Sequence, residues 1–180
     1  MKLIETGIED LFVIETNVFP DDRGYFFEAF NSQKLKNIGL NITVAQTNIS
    51  KSSKGVIRGL HFQNPPHAQG KLVRVLNGSV LDVAVDLRKN SATYGKHFAV
   101  ELNDENKLAF WIPEGFAHGF KTLADDTLFC YDCTDVYNRE AEGSILWNDP
   151  DIGIDWNIEN PVVSEKDAQA PLFRDFESQF

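Results

Sequence analysis

The fold class of this chain is decided by residues 72–87, which read LVRVLNGSVLDVAVDL. Two runs rich in valine and leucine flank Asn77-Gly78, a dipeptide favoured in type I′ turns because both central residues of such a turn need a positive φ. The pattern therefore predicts a β-hairpin formed by residues 72–76 and 79–87.

Short strands are also favoured along most of the remaining chain. They are predicted at residues 11–18, 24–30, 43–50, 56–63 and 127–137, with a second hairpin from residues 97–102 and 107–112. Residues 31–40 favour a short helix, with Asn31 or Ser32 as its N-cap and Gly39 as its stop. Many short strands at intervals of about 8–12 residues, with little helix, are typical of a β-sandwich or barrel. We therefore expect an all-β jelly roll, folded as one domain over residues 1–180.

Composition and charge restrict the possible partners. The 180 residues carry a formal net charge of −10, which argues against nucleic-acid binding. A few clustered cations could still hold a small anion. No apolar run approaches the roughly 20 residues that cross a bilayer, and the N-terminal residues lack the apolar centre of a signal peptide. We expect a cytoplasmic protein that does not bind membranes.

The two cysteines form a nominal Cys-x-x-Cys pair, Cys130 and Cys133. A zinc site would need further ligands in similar clusters, and a redox pair would need a helix start. Both residues lie in a predicted strand, where positions three apart face opposite sides. They are interpreted as reduced structural thiols.

Three charged or titratable residues, Arg58, His61 and Lys71, lie in segments that otherwise look like apolar strands. Buried charge is costly unless it is paired or used, so the three together indicate a site that handles an anionic ligand and moves a proton. Arg58 and His61 have opposite parity along a strand. A bulge at Gly59 is therefore expected to bring both to one face.

A further histidine, His118, follows a proline and a glycine in a pattern that resembles the second motif of the cupin superfamily. The first cupin motif normally supplies His-x-His and a glutamate, but here the position reads His61-Phe62-Gln63 and no glutamate follows before Glu101. A catalytic metal would have too few ligands. We expect a metal-free proton-transfer site. The alternative is that His118 is only a hydrogen-bonded core residue.

Six segments, taken in order, resemble the dTDP-4-dehydrorhamnose 3,5-epimerase family, and the resemblance extends to about Phe176. They are DRGYFFE at 22–28, QTN at 46–48, RGLH at 58–61, QGK at 69–71, PEGFAHGF at 113–120 and SEKD at 164–167. The resemblance implies a cupin-type jelly roll. It also implies conversion of dTDP-4-dehydro-6-deoxy-D-glucose to dTDP-4-dehydro-L-rhamnose, in dTDP-L-rhamnose biosynthesis and without a cofactor.

The resemblance also implies roles for four catalytic residues. His61 matches the general base, Asp167 the carboxylate that orients it, Lys71 the cation that stabilises the enolate, and Tyr131 the acid on the opposite face. The extension 164–180 would thus contribute Asp167 to the site. Taken without the resemblance, Asp167 reads as an exposed charge, Lys71 as an outward lysine and Tyr131 as a core residue.

A second group of residues is implied to bind the substrate, and the N-terminal strands are implied to be shared between the subunits of a homodimer. The substrate-binding set comprises Arg23, Glu28, Gln46, Asn48, Arg58, His118, Tyr137, Glu142 and Lys166. If the strand that holds Tyr131 continues, Tyr137 lies on the same face. Two departures, Asp132 where lysine is frequent and Thr47 where aspartate is common, leave room for a changed sugar preference.

Three alternatives to this function remain open from the sequence. A mono-epimerase would use the same base and enolate on a related dTDP-4-keto-6-deoxy sugar but invert one carbon. A non-catalytic jelly roll would bind a sugar nucleotide only. A metal-dependent cupin oxygenase or isomerase would need ligands that the sequence does not supply at His61-Phe62-Gln63.

Overall fold

The computed structural model describes residues 1–180, which form 14 strands, two short α-helices and one 3₁₀ turn. The strands are β1 (Lys2–Glu5), β2 (Phe12–Glu15), β3 (Val18–Asp21), β4 (Gly24–Phe27), β5 (Gln46–Ser52), β6 (Val56–Gln63), β7 (Lys71–Asn77), β8 (Ser79–Asp86), β9 (His97–Asn103), β10 (Ala109–Ile112), β11 (Phe116–Thr122), β12 (Thr127–Cys133), β13 (Glu142–Ser144) and β14 (Val162–Val163). The helices are α1 (Ser32–Asn37) and α2 (Glu165–Ala168), and the 3₁₀ turn is Phe173–Asp175.

Two sheets make up the body of the fold. The first sheet has the strand order β1-β2-β10-β7-β12-β5, and the second has the order β13-β6-β11-β8-β9 with β14 beside β6. All pairings are antiparallel except that of β14 with β6. The prediction of an all-β jelly roll is confirmed. No helix has the length and apolar character needed to cross a membrane.

The predicted hairpin at Asn77-Gly78 is wrong, because this turn joins the two sheets. Strand β7 pairs with β10 and β12 in the first sheet, whereas β8 pairs with β9 and β11 in the second. The turn is not of type I′ either, because Gly78 has φ +83° but Asn77 does not have a positive φ. Glycine is still needed at position 78, since a Cβ there would lie 2.5 Å from Oγ1 of Thr127. A turn fixes the local bend of the chain. Burial of both strands' apolar faces in one core decides which strands they pair with.

The second predicted hairpin, formed by residues 97–102 and 107–112, is also wrong, because its two strands lie in different sheets. Strand β9 pairs with β8 in the second sheet, and β10 pairs with β2 and β7 in the first. The strand predicted at residues 97–102 is present as β9, whereas the one predicted at 107–112 is shortened to β10 because Lys107 has φ +54°. Their partners differ from those predicted, because a jelly roll closes its core by sending successive strands to opposite sheets.

In the N-terminal segment the predicted helix is present, but the strands differ from those predicted. Helix α1 is capped by Asn31, whose side chain accepts a hydrogen bond from the backbone N–H of Lys34, as predicted. The two strands predicted at 11–18 and 24–30 are three in the structure, β2, β3 and β4. The β3–β4 hairpin carries Phe19, Tyr25 and Phe26, all exposed.

Three apolar clusters hold the layers together. The largest lies between the sheets and joins Val73 and Val75 of β7 to Val80 and Ala84 of β8. A second cluster covers the outer face of the second sheet with the C-terminal segment, including Trp156. The third packs α1 and the following loop on the first sheet. Cys130 and Cys133 are buried and free.

Candidate active site

A cavity of about 520 Å³ opens between the two sheets and is lined by β6, β7, β11, β12 and the segment that leads into α2. An adjoining space of about 360 Å³ shares His61, Lys71 and Tyr131 with it. Seven of the residues singled out in the sequence line the larger cavity. They are Arg58, His61, Lys71, His118, Tyr131, Lys166 and Asp167.

His61 and Asp167 form a hydrogen-bonded pair at this cavity. His61 Nε2 lies 2.7 Å from Asp167 Oδ1, and the backbone N–H of Gly59 donates to Asp167 Oδ2 at 3.2 Å. Asp167 itself is only 4% exposed, so its reading as an exposed charge is wrong. Burial raises the pKa of Asp167, but the hydrogen bond and charge of His61 outweigh it and hold that pKa below its ordinary value. The carboxylate thus orients the ring and leaves Nδ1 for a ligand.

Helix α2 places Asp167 beneath the histidine. Ser164 caps the helix by accepting a hydrogen bond from the backbone N–H of Asp167 at 3.1 Å. This Ser-x-x-Asp spacing is a capping signal that the sequence contains but that was read only as part of a family motif. The short helix therefore acts as a support for one carboxylate.

The expected bulge at Gly59 is present. His61 lies opposite His118, while Arg58 lies opposite Phe120, so β6 uses one more residue than β11 over this stretch. Gly59 has φ +126°, and a Cβ at this position would lie 2.5 Å from the Cα of Gly119. Glycine is required here. The bulge lets both Arg58 and His61 line the cavity.

Lys71 and Tyr131 come from the first sheet and face the histidine across the cavity. Lys71 Nζ donates to the backbone oxygen of His61 at 3.4 Å. Burial lowers the pKa of Lys71, although the nearby Cys133, Asp82 and Glu142 oppose that shift. Burial also raises the pKa of Tyr131, so its phenol stays protonated at neutral pH. An imidazole, an amine and a phenol thus share one cavity.

A second histidine–aspartate pair lies deeper, and its carboxylate was missed from the sequence. His118 Nε2 lies 3.0 Å from Oδ1 of Asp82 and 3.1 Å from Oδ2. Burial lowers the pKa of His118 and raises the pKa of Asp82, since it disfavours both charged forms. The signal for Asp82 was its parity, because it shares an inward face with Val80 and Ala84 on β8.

A chain of polar contacts forms a rim that runs from the adjoining space, lined by Gln46, Asn48 and Tyr137, to Lys166 at the larger cavity. Tyr137 donates its backbone N–H to Gln46 Oε1 at 2.8 Å and its hydroxyl to Glu142 Oε2 at 3.2 Å. Glu142 Oε1 pairs with Lys166 Nζ at 2.6 Å, and Gln46 Nε2 donates to Asn48 Oδ1 at 2.9 Å. The strand prediction for 127–137 is wrong at its end, because β12 stops at Cys133. Tyr137 reaches the rim from a loop.

Two predicted binding residues lie away from the cavity. Arg23 is at the tip of the β3–β4 hairpin, where it pairs with Asp21. Glu28 pairs with Lys34 and accepts a hydrogen bond from Asn31 at 2.9 Å. Neither residue lines the space around His61 within one chain. No group of three or more His, Cys, Asp or Glu side chains is arranged to hold a metal ion.

Comparison with known proteins gives one consistent family. Residues 5–175 match the family model described as dTDP-4-dehydrorhamnose 3,5-epimerase. The protein of that name from Salmonella typhimurium is 53% identical over 174 residues, covering 96% of this chain and 95% of the relative.

Solved structures agree with this match. A dTDP-6-deoxy-D-glucose-3,5-epimerase from Legionella pneumophila, crystallised with dTDP-4-keto-L-rhamnose, has a TM-score of 0.93 and 46% identity over 98% of this chain and 94% of its own. A 3′-monoepimerase from Streptomyces bikiniensis, crystallised with dTDP-quinovose, has a TM-score of 0.86 and 33% identity over 92% of this chain and 84% of its own.

Proposed function

The chain belongs to the dTDP-4-dehydrorhamnose 3,5-epimerase family, and from that premise we propose that His61 is the base of a 3,5-epimerisation in the cavity between the sheets. The substrate is dTDP-4-dehydro-6-deoxy-D-glucose and the product is dTDP-4-dehydro-L-rhamnose, a step of dTDP-L-rhamnose biosynthesis. One observation carries the proposal. The 2.7 Å bond from His61 Nε2 to Asp167 leaves Nδ1 free at a cavity that also holds Lys71 and Tyr131.

Proton removal begins at a carbon beside the 4-keto group. His61 Nδ1 accepts the proton, and the C–H electron pair moves into an enolate whose oxygen becomes negative. Asp167 stabilises the imidazolium that forms. Lys71 stabilises the enolate oxygen, and losing one such preorganised donor typically costs about 2.7–4 kcal/mol.

Inversion requires a proton from the other face of the sugar ring. Tyr131 lies on β12 of the first sheet, whereas His61 lies on β6 of the second, so the two side chains approach the cavity from opposite walls. The phenol donates its proton to the carbanion, and the resulting carbon has the opposite configuration. The imidazolium then releases its proton to solvent and the phenolate takes one up, so that the same steps at the other flanking carbon complete the double epimerisation.

The remaining polar residues are proposed to hold the substrate. The cations Arg58 and Lys166 suit the diphosphate, since both line the cavity of an otherwise acidic chain. Hydrogen bonds to the sugar and base are assigned to Gln46, Asn48, His118, Tyr137 and Glu142. We treat residues 1–180 as one domain whose segment 164–180 supplies Asp167.

Arg23 and Glu28 can serve this site only if they come from a second subunit. The β3–β4 hairpin that carries Arg23 presents Phe19, Tyr25 and Phe26 to solvent, an apolar surface that a partner could bury. A homodimer that shares its N-terminal strands would account for both features. The two free cysteines are in keeping with a cytoplasmic location.

Proton exchange during turnover tests this function directly. With dTDP-4-keto-6-deoxyglucose in deuterated water and no added metal, NMR should record deuterium at both carbons flanking the ketone, together with the inverted product. Exchange and inversion at one carbon would identify the mono-epimerase instead, an activity found in the Streptomyces bikiniensis relative. Binding without exchange would indicate a sugar-nucleotide-binding protein and contradict the catalytic proposal.

A further inference from the structure

Gln63, the residue at the position of the second cupin histidine, makes three side-chain hydrogen bonds, all to backbone groups. It is 4% exposed and lies two residues after His61 on β6. Its Nε2 donates to the oxygen of His67 at 2.7 Å and to the oxygen of Val136 at 3.3 Å. Its Oε1 accepts from the backbone N–H of Asn138 at 2.7 Å. A single buried amide thus ties β6 to two separate loops.

The loop that follows β12, residues 134–141, has little apolar packing of its own. Val136 and Tyr137 are 52% and 53% exposed. The loop is therefore held mainly by hydrogen bonds, including one from Gln69 Nε2 to the oxygen of Asp135 at 2.6 Å. Loops with few buried apolar contacts open at low free-energy cost unless such bonds restrain them.

The two bonds from Gln63 to this loop lie on either side of Tyr137. One fixes Val136 and the other fixes Asn138, so the backbone of Tyr137 is held between them. From there the contacts run through the Tyr137 hydroxyl to Glu142 and then to Lys166. Glu142 also lies opposite Gln63 in the β13–β6 pairing.

We infer that Gln63 is a positioning residue for substrate binding, which acts by fixing the Tyr137 loop as one wall of the space that adjoins the cavity. The inference rests on the proposed binding role of Tyr137. It assigns the position that ligates metal in other cupins to a different task, because both N–H groups of the amide and one acceptor site of its oxygen already have backbone partners. Gln63 borders the adjoining space, but both of its N–H groups are bonded to the backbone, so its influence on binding would pass through Tyr137.

The test replaces Gln63 by methionine, which has similar length but no hydrogen-bonding amide. Gln63→Met should raise the KM for dTDP-4-keto-6-deoxyglucose about 10-fold while kcat changes less than about 2-fold, the pattern of lost uniform binding. Gln63→Glu keeps the acceptor for the Asn138 N–H but loses both donors, so it should also raise KM. It replaces Gln63→Met as the test if the methionine variant folds poorly. Gln33→Met, an exposed site on α1, is the matched control and should leave both constants unchanged.

A double-mutant cycle tests whether the effect passes through Tyr137. Tyr137→Ala should raise KM, and adding Gln63→Met to it should raise KM no further, because the wall that Gln63 positions is gone. Amide hydrogen exchange in residues 135–141 should accelerate in Gln63→Met and remain unchanged in the Gln33→Met control. A lowered Tm with normal KM, or additive effects in the cycle, would overturn the inference.

The same experiment separates this inference from the proposed function. If Tyr137→Ala leaves KM unchanged, the binding role of Tyr137 is wrong, and Gln63 cannot act through it. If the wild-type protein fails to exchange deuterium at all, the catalytic proposal fails independently of any result with Gln63.

Discussion

The two histidine–aspartate pairs of the cavity contain the same residue types in different surroundings. In the outer pair the side chain of His61 is 34% exposed and that of Asp167 is 5% exposed. In the inner pair His118 is 7% exposed and Asp82 is fully buried. The ring of His61 is open to water and ligand, whereas His118 borders the cavity with only a small part of its side chain and Asp82 lies wholly behind it.

The pKa values of the two carboxylates are shifted in opposite directions, although burial alone would raise both. Asp167 keeps a lowered pKa because His61, Gly59 and Ser164 bond to it more strongly than burial disfavours its charge. Asp82 has a raised pKa because burial dominates, and the pKa of His118 is lowered for the same reason. A fixed negative charge behind an accessible imidazole suits proton transfer. A buried pair with both charges disfavoured suits a fixed hydrogen bond.

The largest expected effect follows removal of the accessible imidazole. His61→Ala should abolish deuterium exchange from solvent into the sugar, a loss of at least about 10³-fold given that a positioned base contributes about 10²–10⁴-fold. NMR in deuterated water measures it. Exchange at a near-normal rate would mean that another group, such as His118, is the base.

Tyr131 should affect inversion more than exchange, because it acts after the proton has been removed. Tyr131→Phe keeps the ring that packs beside Phe129 but removes the donated proton. Inverted product should fall by about 10²-fold or more, while exchange persists within about 10-fold. Product stereochemistry and deuterium content are read from one NMR sample. Equal losses of both would contradict separate base and acid roles.

Replacing the outer carboxylate should cost less than losing the base itself. Asp167→Asn removes the charge that orients His61, and kcat should fall on the order of 10²-fold, well below the about 10⁴-fold loss that the same change causes in a serine-protease triad. Glu165→Gln on the same helix α2 is the control and should leave kcat unchanged. A normal kcat in the Asp167→Asn enzyme would contradict the proposal that Asp167 orients His61.

The same replacement in the inner pair should be nearly silent. Because burial already disfavours the charged form of Asp82, the uncharged isostere Asp82→Asn can keep the hydrogen bond to His118. We expect kcat within about 10-fold of wild type and a Tm shift below about 4 °C, which corresponds to about 1 kcal/mol in a chain of this size. A kcat loss as large as that of Asp167→Asn would place the inner charge in the chemistry.

The smallest expected effect is on stability in acid. The lowered pKa of Asp167 gives folding free energy that is present above the ordinary value of 3.8 and is lost as the pH falls through the folded-state pKa. The Tm difference between wild type and Asp167→Asn should therefore narrow below pH 3.8. Thermal melts between pH 6 and pH 3 measure it, with Glu165→Gln as the control. A difference that stays constant across this range would contradict the charged state assigned to Asp167.

Local signals in the sequence were read correctly where one residue's own conformation decides the outcome. The cap at Asn31, the positive φ at Gly78 and the bulge at Gly59 all follow from the residue type and its neighbours. The pairing of the strands was not predicted correctly. Both predicted hairpins are in fact links between sheets, because which strands pair depends on apolar faces from distant parts of the chain meeting in one core.

The residues of the cavity show the same difference between what the sequence and what the tertiary structure decide. The residue types by themselves singled out His61 and Lys71, because charged or titratable side chains are unusual in apolar strands. Tyr131 and Asp167 were indicated only by the resemblance to the family. Only the tertiary structure decided that Asp167 is buried under His61 across 106 positions of sequence, and that Asp82 is paired with His118. The strength and charge of such a pair depend on how deeply it is buried, and burial is a property of the packed sheets rather than of any segment.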